Sequence, residues 1–254
     1  MLIAQIGGGD RIEAARDLPP DDYQCPMCTS PVVLKRGRKI AAHFAHTPDA
    51  DCPASESESW RHLTAKKLVA GQLAARGWET RIEVSYPRYG RRVDAAAKRP
   101  DASGNMRYVA IEIQDSAIQV DTMKTRIAID KQIRYDATVW LFTTHRAATL
   151  MRAEPDDEVR VPEEMLWVSN RYQQGVHVID PEAERVHRIR LGGVHREGES
   201  YSWYEAGGEL AGIDYPGYSP KTIKTVERRP GGFNLQLFPG RFDQWVGAFA
   251  LETG

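Results

Sequence analysis

The sequence predicts an α/β protein: a mixed sheet with helices on both faces, preceded by a small cysteine-bearing module and followed by a β-rich region. Two observations carry that reading. Residues 55–150 run through periodic segments in the order helix, three strands, helix, strand. All 3 cysteines, by contrast, fall between residues 25 and 52.

A chain of 254 residues can be one large domain or two modest ones, and either buries a real core. Hydrophobic residues at 41% and charged residues at 27% place it among ordinary globular proteins. The net charge of −1 excludes a polycationic surface but not a nucleic-acid partner. Basic residues bunch at Lys35, Arg36, Arg38 and Lys39, and again at Arg88, Arg91 and Arg92.

Residues 1–22 read as a polar lead-in ended by Pro19 and Pro20. Their opening, MLIAQIGGGD, lacks the basic start, apolar stretch and cleavage site of a signal peptide. No apolar run approaches the roughly 20 residues of a membrane span. Residues 23–54 hold every cysteine, with short β-like runs such as PVVLK around a turn at Gly37.

The core, residues 55–150, begins with SESESWRHLTAKKLVAGQLAARG, a helix. Ser55 or Ser57 caps it, Glu56 and Glu58 suit its positive end, and Gly77 closes it. Leu63, Lys67 and Ala70 share one flank, followed by Leu68, Gln72 and Ala75 at similar spacing. TRIEVSYP, RRVDAAAK and RYVAIEIQ are strand-like, and QVDTMKTRIAIDKQIRY is helical with Met123, Ile127 and Ile133 facing inward. ATVWLFTT is continuously apolar, as a central strand should be. RAEPDDEVRVPEE then reads as a linker, and residues 160–254 as an accessory β-rich region with strands at GVHVIDP and RVHRIRL. Trp203, Tyr204, Tyr215 and Tyr218 are expected in its core rather than on a binding surface.

The cysteine cluster reads Cys25-x2-Cys28-x14-His43-x2-His46-x5-Cys52. An odd number of thiols in a tight group argues against a secreted disulfide framework and for a metal in a reducing cytoplasm. Tetrahedral zinc takes four nitrogen or sulfur ligands, so one of the five candidates is a spectator. The favoured set is Cys25, Cys28, His46 and Cys52 with His43 spare, although spacing alone does not separate the two histidines. Four protein ligands leave no open position, so such an ion folds the module and does no chemistry.

A second constellation lies in YVAIEIQDS, residues 108–116. Val109, Ile111 and Ile113 alternate with Glu112 and Gln114 on the opposite face. One strand earlier stands Asp94; if the strands are neighbours, Asp94 and Glu112 meet at one end of the sheet with Gln114 beside them. Oxygen ligands of this kind suit Mg²⁺ or Mn²⁺, which keep several waters and bridge to phosphates.

The arrangement Asp94, then Glu112-x-Gln114, resembles the PD-(D/E)xK nuclease core. The series CPMC…HFAH…ESWRH…RRVDAAA…AIEIQDS resembles the competence protein CoiA-like family over roughly residues 23–145. The resemblance implies a restriction-endonuclease-like fold, a zinc-binding N-terminal module and action on DNA. Carried over by position, it makes Asp94 and Glu112 metal ligands and puts Gln114 where the superfamily usually has lysine. A carboxamide orients water but is no base at neutral pH. ESWRH then assigns Glu58 to the metal's surroundings, His62 to water or phosphate, and Lys66 to charge neutralisation, four residues apart on one helical face. Ser116 donates to a phosphate or caps the next helix, and Arg126 and Tyr135 grip the DNA backbone or pack inside.

Three functions follow as alternatives. The first is a cytoplasmic Mg²⁺- or Mn²⁺-dependent deoxyribonuclease in DNA processing or recombination, with DNA and other DNA-processing proteins as partners and no membrane. The second is a catalytically weak DNA-binding module of such a complex. The third is a protein-interaction scaffold.

Overall fold

A computed structural model of the protein describes residues 1–7, 9–37, 41–48, 52, 58–172, 175–240 and 245–251. In chain order its elements are β1 (Ile3–Ile6), β2 (Asp10–Glu13), β3 (Val32–Lys35), β4 (His43–His46), α1 (Trp60–Ala74), β5 (Glu79–Tyr86), β6 (Arg91–Pro100), β7 (Met106–Gln114), α2 (Val120–Gln132) and β8 (Ala137–Thr143). They continue with α3 (Ala148–Arg152), β9 (Glu158–Arg160), α4 (Glu163–Tyr172), β10 (Val176–Asp180), β11 (Arg185–Gly193), β12 (Glu199–Tyr204), β13 (Leu210–Tyr215), β14 (Ile223–Pro239) and β15 (Trp245–Leu251).

One mixed sheet organises the molecule, in the order β15-β14-β11-β10-β8-β7-β6-β5, with β9 on β14. β8 pairs parallel with both β7 and β10, and its neighbours outward are antiparallel. Every residue of β8 is buried, which its unbroken apolar run requires of a central strand. Val109, Ile111 and Ile113 of β7 pack with Ala65, Val69 and Leu73 of α1 on one face. Trp140 and Phe142 of β8 pack with Met123 of α2 and Met165 and Val168 of α4 on the other. The expected α/β fold, a mixed sheet with helices on both faces and a β-rich C-terminal part, is the observed one. Burial of each large aliphatic side chain in these layers stabilises it by about 1.5–3 kcal/mol.

Several expectations change. The lead-in is not a solvent-exposed tail: β1 and β2 form a hairpin, and Leu2 and Ile3 pack with Leu63 and Ile82. The four apolar residues that open the chain are too short a run to announce a buried strand. α1 buries Leu63, Ala65, Lys66, Val69 and Leu73 rather than a flank through Lys67, whose ammonium pairs with Glu13 at 2.8 Å. The proposed caps Ser55 and Ser57, with Glu56, lie outside the described residues, as do Arg38 and Lys39. The observed cap is Ser59, whose Oγ accepts from His62 N at 3.1 Å. Ser116 does not cap α2, which starts after Gln119.

The linker expected near residue 155 does not interrupt the sheet. The chain passes through α3, β9 and α4 and returns as β10 beside β8, so residues beyond 160 widen the same sheet. β12 and β13 instead form a separate hairpin. Its aromatics are exposed, not core: Trp203 is 47% and Tyr204 77% exposed, and Tyr215 and Tyr218 are also on the surface. No helix among the described residues is long and apolar enough to cross a membrane.

Candidate functional site

The N-terminal module gathers its ligands from a turn and a strand. Cys25 and Cys28 sit on the turn before β3, His46 ends β4, and Cys52 follows. One ligand atom from each of the four lies within 4.8 Å of all the others. Cys25 Sγ is 4.0 Å from Cys52 Sγ, and Cys28 Sγ is 3.4 Å from His46 Nε2. Bonds of about 2.3 Å to sulfur and about 2.0–2.1 Å to nitrogen give tetrahedral edges of roughly 3.8 and 3.5 Å, so the residues fit zinc. His43 is set apart, its Nδ1 3.0 Å from Ala41 O. Burial alone would raise the Cys28 thiol, but hydrogen bonds from Ser30 and His46 outweigh it and lower the pKa to about 6. A thiol so placed is ready to ligate as thiolate.

The second site is a cleft of about 470 Å³ at the end of the β6–β7 pair. It is walled by Glu58, Ser59 and His62 at the start of α1, Arg92 and Asp94 on β6, Gln114 on β7, and Arg126 on α2. Asp94 enters it through a break in strand alternation. Val93 packs with Ala110 and Tyr135 on the α2 side, whereas both Asp94 and Ala95 face α1. Opposite them on β5, Glu83 has a left-handed φ of +49°, between the pairs Ile82–Ala95 and Val84–Val93. Such local irregularity commonly re-aims a side chain at a site.

Asp94 Oδ2 lies 3.1 Å from His62 Nε2, a buried contact within ion-pair range. Glu58 Oε2 makes no hydrogen bond but pairs with the amino-terminal ammonium of Met1 at 3.3 Å, while Oε1 accepts from Lys66 and Arg92, each at 2.7 Å. Glu58, His62 and Asp94 offer three ligand atoms within 4.8 Å of one another. Two adjacent ligands of an octahedral ion stand roughly 3 Å apart at bond lengths of about 2.0–2.1 Å, so the spacing fits a divalent cation. Burial opposes ionisation of Asp94, but His62, Lys66 and the Ile113 N–H outweigh it and hold the carboxyl well below its ordinary range.

The expected pairing of Asp94 with Glu112 does not form. Asp94 turns toward α1, but Glu112 turns toward α2, where Oε1 accepts from Arg91 and Oε2 from Arg126, both at 2.8 Å. Glu112 is 0% exposed, and burial raises its pKa against the pull of Arg91. Arg91 in turn is held by Asp130, at 2.9 and 3.0 Å. Arg126 therefore touches Glu112 while still lining the cleft. Gln114 and Ser116 line the cleft. Lys66 does not reach it: at 0% exposure its ammonium serves Glu58 and Glu83 and cannot meet a phosphate. Glu58 precedes the helix instead of sharing its face with Lys66. Tyr135 follows α2, and its hydroxyl pairs with that of Tyr86 at 3.0 Å away from the cleft.

Two supporting residues were not anticipated. Asp115 accepts from Ser59 Oγ at 2.5 Å, Arg61 Nε at 3.1 Å and Thr143 Oγ1 at 2.5 Å, tying the start of α1 to the ends of β7 and β8. Its place directly after Glu112-x-Gln114 was the available signal. Glu83 is buried beneath the cleft and binds Lys66, and nothing in the alternating run TRIEVSYP marks it as inward.

Residues 10–55 match the model of the N-terminal domain of competence protein CoiA, and residues 58–176 match that of its nuclease-like domain. No curated protein and no solved structure matches the chain. The first match spans the cysteine cluster and the second spans the cleft. A nuclease-like domain points to a nuclease-type function on nucleic acid and implies a divalent metal. With two adjacent domains of one family matched in order, the chain belongs to the competence protein CoiA family.

Proposed function

We propose that the protein is a metal-dependent deoxyribonuclease that hydrolyses DNA phosphodiester bonds in the cytoplasm during DNA processing or recombination. The observation that carries this reading is the meeting of Asp94 Oδ2 and His62 Nε2 at 3.1 Å, with Glu58 beside them, in a cleft edged by arginines. A bound Mg²⁺ or Mn²⁺ would supply Lewis-acid polarisation of the phosphate and a more acidic water. Asp94, held ionised, Glu58 and His62 would be its protein ligands. Gln114 orients the attacking water by hydrogen bonding and accepts no proton. Arg126 and Arg92 face the charge that gathers on the phosphate. Zinc in the N-terminal module is structural, and cysteines that form no disulfide fit a reducing compartment.

Cleavage of end-labelled single- and double-stranded DNA with Mg²⁺, Mn²⁺ or EDTA tests the reading, wild type beside Asp94→Ala. Metal-dependent cutting lost in the variant is the expected result, and product lengths give the mode. The second reading, a DNA-binding module with weak catalysis, draws on Glu112, whose oxygens are both taken by arginines, and on Gln114 in the place of lysine. DNA bound but uncut under every metal condition would favour it.

A further inference from the structure

Lys66 is a hazard to the site it adjoins. Its buried ammonium lies 2.7 Å from Glu58 Oε1 and 3.8 Å from Asp94 Oδ1. A cation at that range competes with a divalent ion for the same carboxylates. Yet Asp94 is not its closest partner, because Glu83 Oε1 takes the ammonium at 2.5 Å.

Glu83 is itself held from the far side. Its Oε2 accepts from the backbone N–H groups of Leu2 and Ile3, at 2.7 and 3.0 Å, and its backbone oxygen accepts from Arg11 at 3.2 Å. The left-handed backbone turns it to the α1 side, next to Ile82, which packs against Leu63 on that same side. A non-glycine residue in that conformation is strained and persists where its surroundings over-determine it. A surface strand would gain nothing from this. Here it delivers a carboxylate to Lys66, buried beside the cleft.

We propose that Glu83 is the positioning residue of the site, holding Lys66 away from Asp94 so that Asp94 and His62 remain open to a divalent ion. The proposal rests on the metal-dependent reading above. Glu83 touches neither substrate nor ion; it acts through Lys66. The β1–β2 hairpin thereby becomes part of the site's support, because its first amides fix the carboxylate that fixes the lysine.

Mn²⁺ titration of the zinc-supplied full chain, with free Mn²⁺ read by electron paramagnetic resonance, tests this in a four-variant cycle. The variants are wild type, Glu83→Gln, Lys66→Met and Lys66→Met/Glu83→Gln, with Asp94→Asn as control and thermal melts beside each. Glu83→Gln should weaken Mn²⁺ binding by about 10- to 100-fold, as loss of a supporting contact around a ligand set does. The double variant should recover most of that loss, because the competing ammonium is gone. Unchanged affinity in Glu83→Gln would overturn the proposal, as would a double variant as weak as the single one. Should Glu83→Gln not fold, the double variant alone decides: near-native affinity supports the proposal and weak affinity refutes it. Wild type without Asp94-dependent binding would instead sink the metal-site reading and this inference with it.

Discussion

Glu112 and Glu83 show how a buried carboxylate is decided by its partners. Glu112 is clasped between Arg91 and Arg126, and removing it takes away one of the two carboxylates that pair the buried Arg91. Glu112→Ala should therefore destabilise the fold by about 3–5 kcal/mol, read as a lower denaturation midpoint. Glu83 is different: burial opposes its ionisation, but Lys66 and Arg92 prevail and lower its pKa to about 2. A carboxyl depressed on folding contributes stability above its unfolded value, near 4.5, and loses it as pH falls through the folded value. The contribution is roughly 3 kcal/mol by linkage. Denaturation of wild type should steepen between pH 4.5 and 2, and that acid dependence should flatten in Lys66→Met/Glu83→Gln. At this scale the sequence was least legible. Lys66 reads as a surface cation by composition, and only three-dimensional convergence of Glu58, Glu83 and Asp94 explains its full burial.

Elements were far easier to read. β7 and β8 announce themselves as strands, one by the alternation of Val109, Ile111 and Ile113 and one by an unbroken apolar run, and both are buried on both faces from Val109 onward. The break at Asp94–Ala95 was hidden. Alternation is assumed regular until a local conformation such as that of Glu83 overturns it, and the slip sent Asp94 to the face opposite Glu112. The β12–β13 hairpin misled through its aromatics, whose size suggests core when no partner surface can be foreseen. Since all its large side chains are exposed, replacing residues 199–215 by a short Gly-Ser turn should leave the melting temperature nearly unchanged. A marked loss of stability would show hidden packing. Leu73→Ala in α1, fully buried against the sheet, should by contrast cost about 2–5 kcal/mol in chemical denaturation.

At the scale of the molecule, two groups able to hold a metal ion, of opposite chemistry, stand on adjacent domains. Sulfur-rich Cys25, Cys28, His46 and Cys52 form one; oxygen-rich Glu58, His62 and Asp94 form the other. The first was legible almost entirely, because its ligands are close in sequence and their spacing is restricted. The second was legible in part, since its members come from two elements whose facing the sequence does not state. Met27 of the cysteine module also lines the cleft, so loss of the module should be felt there. Cys25→Ser should lower zinc content and melting temperature together, checked by metal analysis and calorimetry on one sample. Anomalous diffraction from crystals grown with Mn²⁺ tests the central claim most directly. The expected result is a manganese peak within bonding distance of both Asp94 Oδ2 and His62 Nε2. A peak beside Glu112, or none outside the cysteine cluster, would contradict the account.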